Sequence, residues 1–203
     1  MRLLQGEGPV TVHGDFYQVA NLRLRNACPP DLLPGLTVSG SSAAGAAAAR
    51  ALGATAIQYP RPPDAYDTEE HDILADQGIR IGIIARATDA EAWAVAHERF
   101  PGDRHGQLTH RMAMAVSDSV WHRQLSELAD ESLAGRSPYW LHPFQNYKTF
   151  CPYLVGSYDA VASELAGYIR RGFGTFILDI PRSADEFDHV RLALHSADAV
   201  LAA

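Results

Sequence analysis

Apolar positions along this chain follow two rhythms, one short and one long. Residues 10–19 place apolar side chains on both sides of a polar turn, His13-Gly14-Asp15, which predicts a β-hairpin. A proline-rich stretch from Cys28 to Gly35 then suits a connection and not a central strand. From Leu36 onward, short apolar runs alternate with helix-length segments. Residues 36–40 read as a strand, and 41–52 as a helix closed by Gly53. A second strand covers 55–59 and is ended by Pro60; a weaker helix follows over about 64–76. The strand at 79–87 is the strongest, and Thr88 with Glu91 forms a capping box that opens a helix reaching Phe100.

The rhythm breaks over 101–150. That segment holds one amphipathic helix, marked by Val120, Leu125 and Leu128, and an aromatic, proline-containing stretch from Tyr139 to Tyr153. It resumes where Ser157 caps a helix carrying Val161, Leu165 and Ile169, stopped by Gly172. A last strand covers 173–180. Ser183 and Glu186 then form a second capping box, and Phe187, Val190, Leu194 and Ala197 line one face of a final helix. Four strand-to-helix units in succession predict an α/β fold with parallel strands and right-handed crossovers, with an irregular or helical insertion between the third and fourth. Eight units close a barrel, so four form an open sheet or half a TIM-type barrel. One domain is expected over 1–203: hairpin and linker at 1–35, three βα units at 36–100, the insertion or lid at 101–153, and a helix-strand-helix at 154–203.

Composition narrows the function classes. The chain is 47% hydrophobic and 20% charged, an ordinary globular balance. A net charge of −7 speaks against a nucleic-acid surface, and no apolar run is long enough to span a membrane. The N-terminus has no signal-peptide pattern, and Cys28 and Cys151 form no CxxC, so a reducing, cytoplasmic setting is expected. The nine histidines show no HExxH and no spacing joined to cysteines, so no metal site is expected.

A few residues could carry chemistry. Gly40-Ser41-Ser42 ends a strand and opens a helix, where small residues let backbone N–H groups approach a phosphate. The same residues serve equally as a plain helix cap. Arg80 interrupts an apolar strand and needs a carboxylate, a phosphate or a substrate anion as partner, so it is either a site residue or a structural ion pair. Tyr147, Lys148 and Tyr153 precede the helix at 157; Lys148 could meet an anionic substrate or stand in solvent. Trp93 and Trp121 read as core or interface.

Several stretches, in order, resemble the bacterial luciferase-like flavin monooxygenases. They are Gly14-Asp15-Phe16-Tyr17 before the proline-rich linker, Val38-Ser39-Gly40-Ser41-Ser42 with its alanine-rich helix, 78–88 followed by Glu91-Ala92-Trp93, and 154–162 followed by 172–178. The block from Tyr139 to Pro181 is most similar to members from natural-product gene clusters, which often act on carrier-tethered substrates. The resemblance implies the C-terminal half of the family's barrel, with strands one to four absent. It implies FMN, reduced by a separate reductase (deazaflavin being the alternative flavin), and oxygen chemistry through a flavin hydroperoxide. Gly40, Ser41 and Ser42 would hold the FMN phosphate; Arg80, Tyr147 and Lys148 would line the substrate and flavin pocket. It also implies a second copy or a complementary N-terminal half. Two departures count against sulfonate chemistry: Gly82 stands where alkanesulfonate-type relatives carry histidine, and Asp179-Ile180-Pro181 replaces the region of their tyrosine. A non-catalytic remnant or assembly module of the same fold is the rival reading.

Overall fold

A polar turn between two short alternating runs gives the first element pair. In the computed structural model, which describes residues 3–66, 77–131 and 138–202, the chain divides into two units, Met1–Leu36 and Thr37–Ala203. In the first, β1 (Val10–His13) pairs antiparallel with β2 (Gln18–Leu22), His13 lying opposite Gln18. The Gly14 N–H donates to the Tyr17 carbonyl at 2.9 Å and closes the turn. Phe16 and Tyr17 at its tip are exposed, and neither strand buries a residue.

The second unit starts with β3 (Thr37–Ser39), α1 (Ala43–Leu52) and β4 (Thr55–Gln58). Next come β5 (Gln77–Arg86) and α2 (Asp89–Arg99), then α3 (Arg104–Val116) and α4 (Val120–Glu131). After β6 (Tyr139–Trp140) and α5 (His142–Gln145), the chain runs through β7 (Tyr153–Ser157), α6 (Tyr158–Arg170), β8 (Phe173–Leu178) and α7 (Ala184–Ala202). Gly53 ends α1 at φ +59°, the left-handed value that favours glycine. The Thr88/Glu91 capping box opens α2 with both of its hydrogen bonds made.

β3 pairs with β4, β4 with β5, and β5 with both β7 and β8, all parallel; β6 runs antiparallel to β7. A strand has two edges, and successive residues bond to opposite ones. The Ile81 carbonyl accepts from Asp179 after β8, whereas the Gly82 N–H donates to Pro152 before β7. β8 therefore takes one edge of β5 along 77–81. β4 and β7 share the other, end to end. The expected four parallel strands are β3, β4, β5 and β8, and the described strands form an open sheet.

The same alternation sorts the core. Ile79, Ile81, Ile83 and Ala85 pack with Leu154 against α6 and α7 through Leu165, Tyr168, Val190 and Ala193. Ile84, on the opposite face, packs with Tyr153 and Val155 against Ala92, Ala96 and Phe100. Helices thus cover both faces of the β5–β7 pair, whereas a closed barrel keeps all its helices outside. Lower on the second face, where register places Thr175 and Ile177 beside Gly78 and Arg80, both β8 side chains remain exposed.

Several expectations need correction. β7 is a fifth parallel strand among the described residues, where the pattern was read only as the lead-in to a helix. α3 was not expected, because its apolar residues point outward. The helix expected at 64–76 is a 3₁₀ turn over Pro63–Tyr66, and residues 67–76 lie outside those described. The Ser183 hydroxyl accepts from the Glu186 N–H, but the Glu186 carboxylate pairs with Arg86 and does not close a capping box. Phe187 is 56% exposed; Val190, Ala193 and Ala197 make the buried stripe of α7 instead.

Candidate functional site

Small residues at the end of β3 bring α1 close to the sheet. A Cβ at Gly40 would stand 2.7 Å from that of Ala56, and one at Gly45 would stand 2.3 Å from the Ser39 carbonyl oxygen. Packing alone therefore accounts for both glycines. Ser42 is the N-cap of α1, its hydroxyl oxygen accepting from the Gly45 N–H at 3.1 Å. The Ser41 hydroxyl oxygen accepts from the Tyr59 N–H at 3.4 Å. Both hydroxyls act as acceptors in these bonds, so each keeps a proton to donate. Hydroxyl protons and the N–H groups of the first turn of a ten-residue helix are the donor set that a phosphate dianion takes.

The second group of polar residues lies where β5, β7 and β8 meet. Register runs from Ser39 to Ile57 to Gly78, which puts Gly40 at the level of Ile79, beside Arg80 in sequence. Two strand spacings separate them, about 10 Å. An Arg80 Nη lies 3.9 Å from Asp179 Oδ1, and the Tyr153 hydroxyl donates to Asp179 Oδ2 at 2.5 Å. Arg80 Nε is buried and has no hydrogen-bond partner among the described residues, while the guanidinium side chain is 37% exposed. Arg80 thus holds one loose contact to a carboxylate and lies beside the Cys151 thiol, while its Nε makes no hydrogen bond among the described residues. Arg99 spans the other side of Tyr153, its guanidinium 5.5 Å from the ring centre. Burial, then the hydrogen bond to Asp179 and its charge, push the Tyr153 phenol well above its usual range, so it is a proton donor at any physiological pH. Cys151 is fully buried, and burial raises its thiol to about 11 despite the hydrogen bond from Thr149. It is no thiolate nucleophile at neutral pH.

Gly82 gains a structural reason here. A Cβ at residue 82 would stand 2.3 Å from the Tyr153 ring, so glycine is what lets that ring cross β5 and aim its hydroxyl at Asp179. Sequence reasoning took Gly82 as a lost histidine and passed over Asp179. The signal for Asp179 was its place just after an apolar strand that runs parallel to the one bearing Arg80.

Tyr147 and Lys148 lie elsewhere, against α3. Lys148 Nζ meets Asp103 Oδ2 at 2.5 Å. That contact, with the Gly106 N–H that Asp103 also accepts as N-cap of α3, holds the carboxyl down at about 2. Tyr147 follows the C-cap of α5 with φ +55°, a left-handed conformation that costs a non-glycine residue about 1–2 kcal/mol. Its half-exposed ring packs edge-on to Phe150. Behind it, buried Asn146 joins the insertion: its Oδ1 accepts from Gln107 Nε2 at 3.0 Å, and its Nδ2 donates to His142 Nε2 at 2.7 Å. The structure therefore unites Arg80 with Tyr153, sets Gly40-Ser41-Ser42 two strands away at the same sheet end, and assigns Lys148 to a cap.

Among the described residues, no helix is long and apolar enough to cross a membrane, and no three His, Cys, Asp or Glu residues gather as metal ligands would. No protein-family model matches the chain. A 4-(γ-L-glutamylamino)butanoyl-[BtrI acyl-carrier protein] monooxygenase from Niallia circulans is 32% identical over 192 residues, covering 92% of this chain and 56% of that protein. Two solved structures share the fold. The EDTA monooxygenase of Chelativorans sp. BNC1 matches at TM-score 0.61 and 14% identity over 96% of this chain and 51% of its own. The oxygenating constituent of 3,6-diketocamphane monooxygenase from Pseudomonas putida, in complex with FMN, matches at TM-score 0.59 and 15% identity, over 97% and 60%. This chain thus spans about half the length of the curated relative it matches. In sequence and in fold it resembles, as a partial chain, the luciferase-like flavin monooxygenases.

Proposed function

We propose that this chain supplies the phosphate-side part of a reduced-FMN monooxygenase site that serves natural-product biosynthesis in the cytoplasm, with the flavin delivered by a separate reductase and the substrate tethered to an acyl carrier. The observation that carries the reading is the pairing of two donor groups at one end of a parallel sheet. One is the serine-capped start of α1, and the other is Arg80, whose part-exposed guanidinium is held at 3.9 Å from Asp179. Ligands of open α/β sheets bind at the carboxyl ends of the strands. The FMN carried by the Pseudomonas putida relative and the carrier-bound substrate in the name of the Niallia circulans relative support the two chemical assignments.

The donor set fits a flavin phosphate. When bound, reduced flavin supplies the electrons that activate dioxygen. The chain's own residues then have separable roles. Ser41, Ser42 and the first-turn N–H groups of α1 bind the phosphate. The exposed part of the Arg80 guanidinium donates to an anionic or carbonyl oxygen of flavin or substrate, while Asp179 holds the guanidinium and Tyr153 holds Asp179. Tyr147, Phe150 and Trp121 form an aromatic wall beside the insertion, with Trp121 6.4 Å from Phe150. The exposed face of β8, and the edges of β3 and β8 that no described strand pairs with, are where a complementary half, or a second copy, would complete the pocket.

The test is incorporation of labelled dioxygen into a carrier-tethered acyl amide, using the chain, reduced FMN and a flavin reductase, with and without the first half of the Niallia circulans relative. Incorporation that falls at least 100-fold in Arg80→Ala supports the reading. No incorporation in either setting contradicts it and leaves an assembly role for the fold.

A further inference from the structure

The charge balance of the chain inverts on α3. The whole sequence carries a net charge of −7, yet the thirteen residues Arg104–Val116 include Arg104, His105, His110 and Arg111 and no Asp or Glu. The amphipathicity of this helix is inverted as well. Its inward side holds Gly106, pressed against the Asn146 carbonyl, His110 and the half-buried Ala113 and Met114, whereas Leu108, Met112 and Val116 are 49%, 65% and 87% exposed. A surface helix ordinarily turns its apolar stripe to the core. Arg104, Leu108, Arg111 and Met112 fall at i, i+4, i+7 and i+8, so they share one face. Apolar residues bordered by arginine, with acidic residues excluded, are the composition of a protein-binding surface and not of a solvated one.

We infer that the outer face of α3 docks an acidic carrier protein, the one that presents the tethered substrate. This inference rests on the carrier-tethered reading above and names the surface that reading needs. Charge complementarity selects the partner: a carboxylate-rich helix finds counter-charges in Arg104 and Arg111 and apolar contact in Leu108 and Met112. A second copy meeting it in a two-fold pairing would set Arg104 and Arg111 against the same two arginines, a poorer match. Position agrees with the assignment. Gln107 of α3 and its N-cap Asp103 bind Asn146 and Lys148, and the chain continues from there through Cys151 to Tyr153. A carrier seated on α3 lies beside the segment that leads into the Arg80–Asp179–Tyr153 group.

The experiment measures binding of the holo form of the BtrI acyl-carrier protein to the full chain, by biolayer interferometry at two salt concentrations. Wild type binds, more weakly at higher salt. Arg104→Glu/Arg111→Glu weakens binding at least tenfold, as does Leu108→Ser/Met112→Ser, while Arg23→Glu in the hairpin unit leaves it unchanged. Both α3 doubles change solvent-facing side chains, and circular dichroism checks that they fold. An FMN titration runs in parallel on each variant. FMN binding without carrier binding overturns this inference and leaves the flavin reading standing. Carrier binding on α3 without FMN binding does the reverse. Wild-type affinity in the charge-reversed double, or a change in its self-association by sedimentation in place of carrier binding, overturns the docking assignment.

Discussion

A single methyl group at residue 82 would meet the Tyr153 ring at 2.3 Å, and that crowding makes the site's geometry testable residue by residue. Gly82→Ala should destabilise the chain by about 1–3 kcal/mol, the usual cost of overpacking, and should pull the Tyr153 hydroxyl away from Asp179. Tyr153→Phe keeps the ring and removes only the hydrogen bond to a charged acceptor, about 1.5–3 kcal/mol. Urea unfolding reads both; a neutral Gly82→Ala would contradict the packing described. The two serines separate in the same way. Ser42→Ala loses the α1 cap and about 0.5–2 kcal/mol of stability, whereas Ser41→Ala loses one 3.4 Å contact and should leave the urea midpoint nearly unchanged. Arg80 was legible in the sequence because a charge in an apolar strand demands a partner. Asp179 and Tyr153, which answer that demand, were not, since only tertiary packing brings β7 and β8 to β5.

At the scale of elements, the strands and the capped helices were the readable part. Period-two runs ended by Gly, Pro or a capping box located β3, β4, β5, β8, α1, α2 and α6. What escaped was the insertion apart from α4, for a physical reason in each case. The apolar residues of α3 face outward, so its pattern carries no inward stripe. β6 and α5 span only two and four residues, too short for any period. The hub of this region is a polar residue, Asn146, which patterning cannot find. Its amide donates to His142 Nε2, and burial, then the nearby His97, hold His142 below its ordinary value; burial does the same to His122. Both rings therefore stay neutral in the fold longer than in the unfolded chain. Between the folded and unfolded values the unfolded state binds more protons, so stability is full above about pH 6.5 and is lost as pH falls below it. Half-buried Glu164, whose carboxyl is raised by partial burial, acts with the opposite sign at lower pH. The histidine contribution is thus the difference between wild type and His142→Gln, followed as the urea midpoint from pH 8 to pH 5.5. The gap should shift in favour of the variant on acidification; a constant gap would contradict the account.

At the larger scale, the second unit is a sheet with helices on both faces of its strongest strand, and among the described strands β3 and β8 each pair on one side alone. Association through those edges is expected, and sedimentation should find dimers or larger species at micromolar concentration; a monomer there would contradict it. The central claim is narrower, that the start of α1 is built for a flavin phosphate. FMN and riboflavin share a ring system and differ in the phosphate, so their affinities isolate that contact. The deciding measurement is a pair of fluorescence titrations, FMN and riboflavin against the chain, repeated with Ser41→Ala. The account predicts that FMN binds more tightly by about 1–3 kcal/mol, the scale of one or two charge-assisted hydrogen bonds, and that Ser41→Ala narrows the gap by weakening FMN alone. Equal affinity for the two flavins, unmoved by Ser41→Ala, would contradict it.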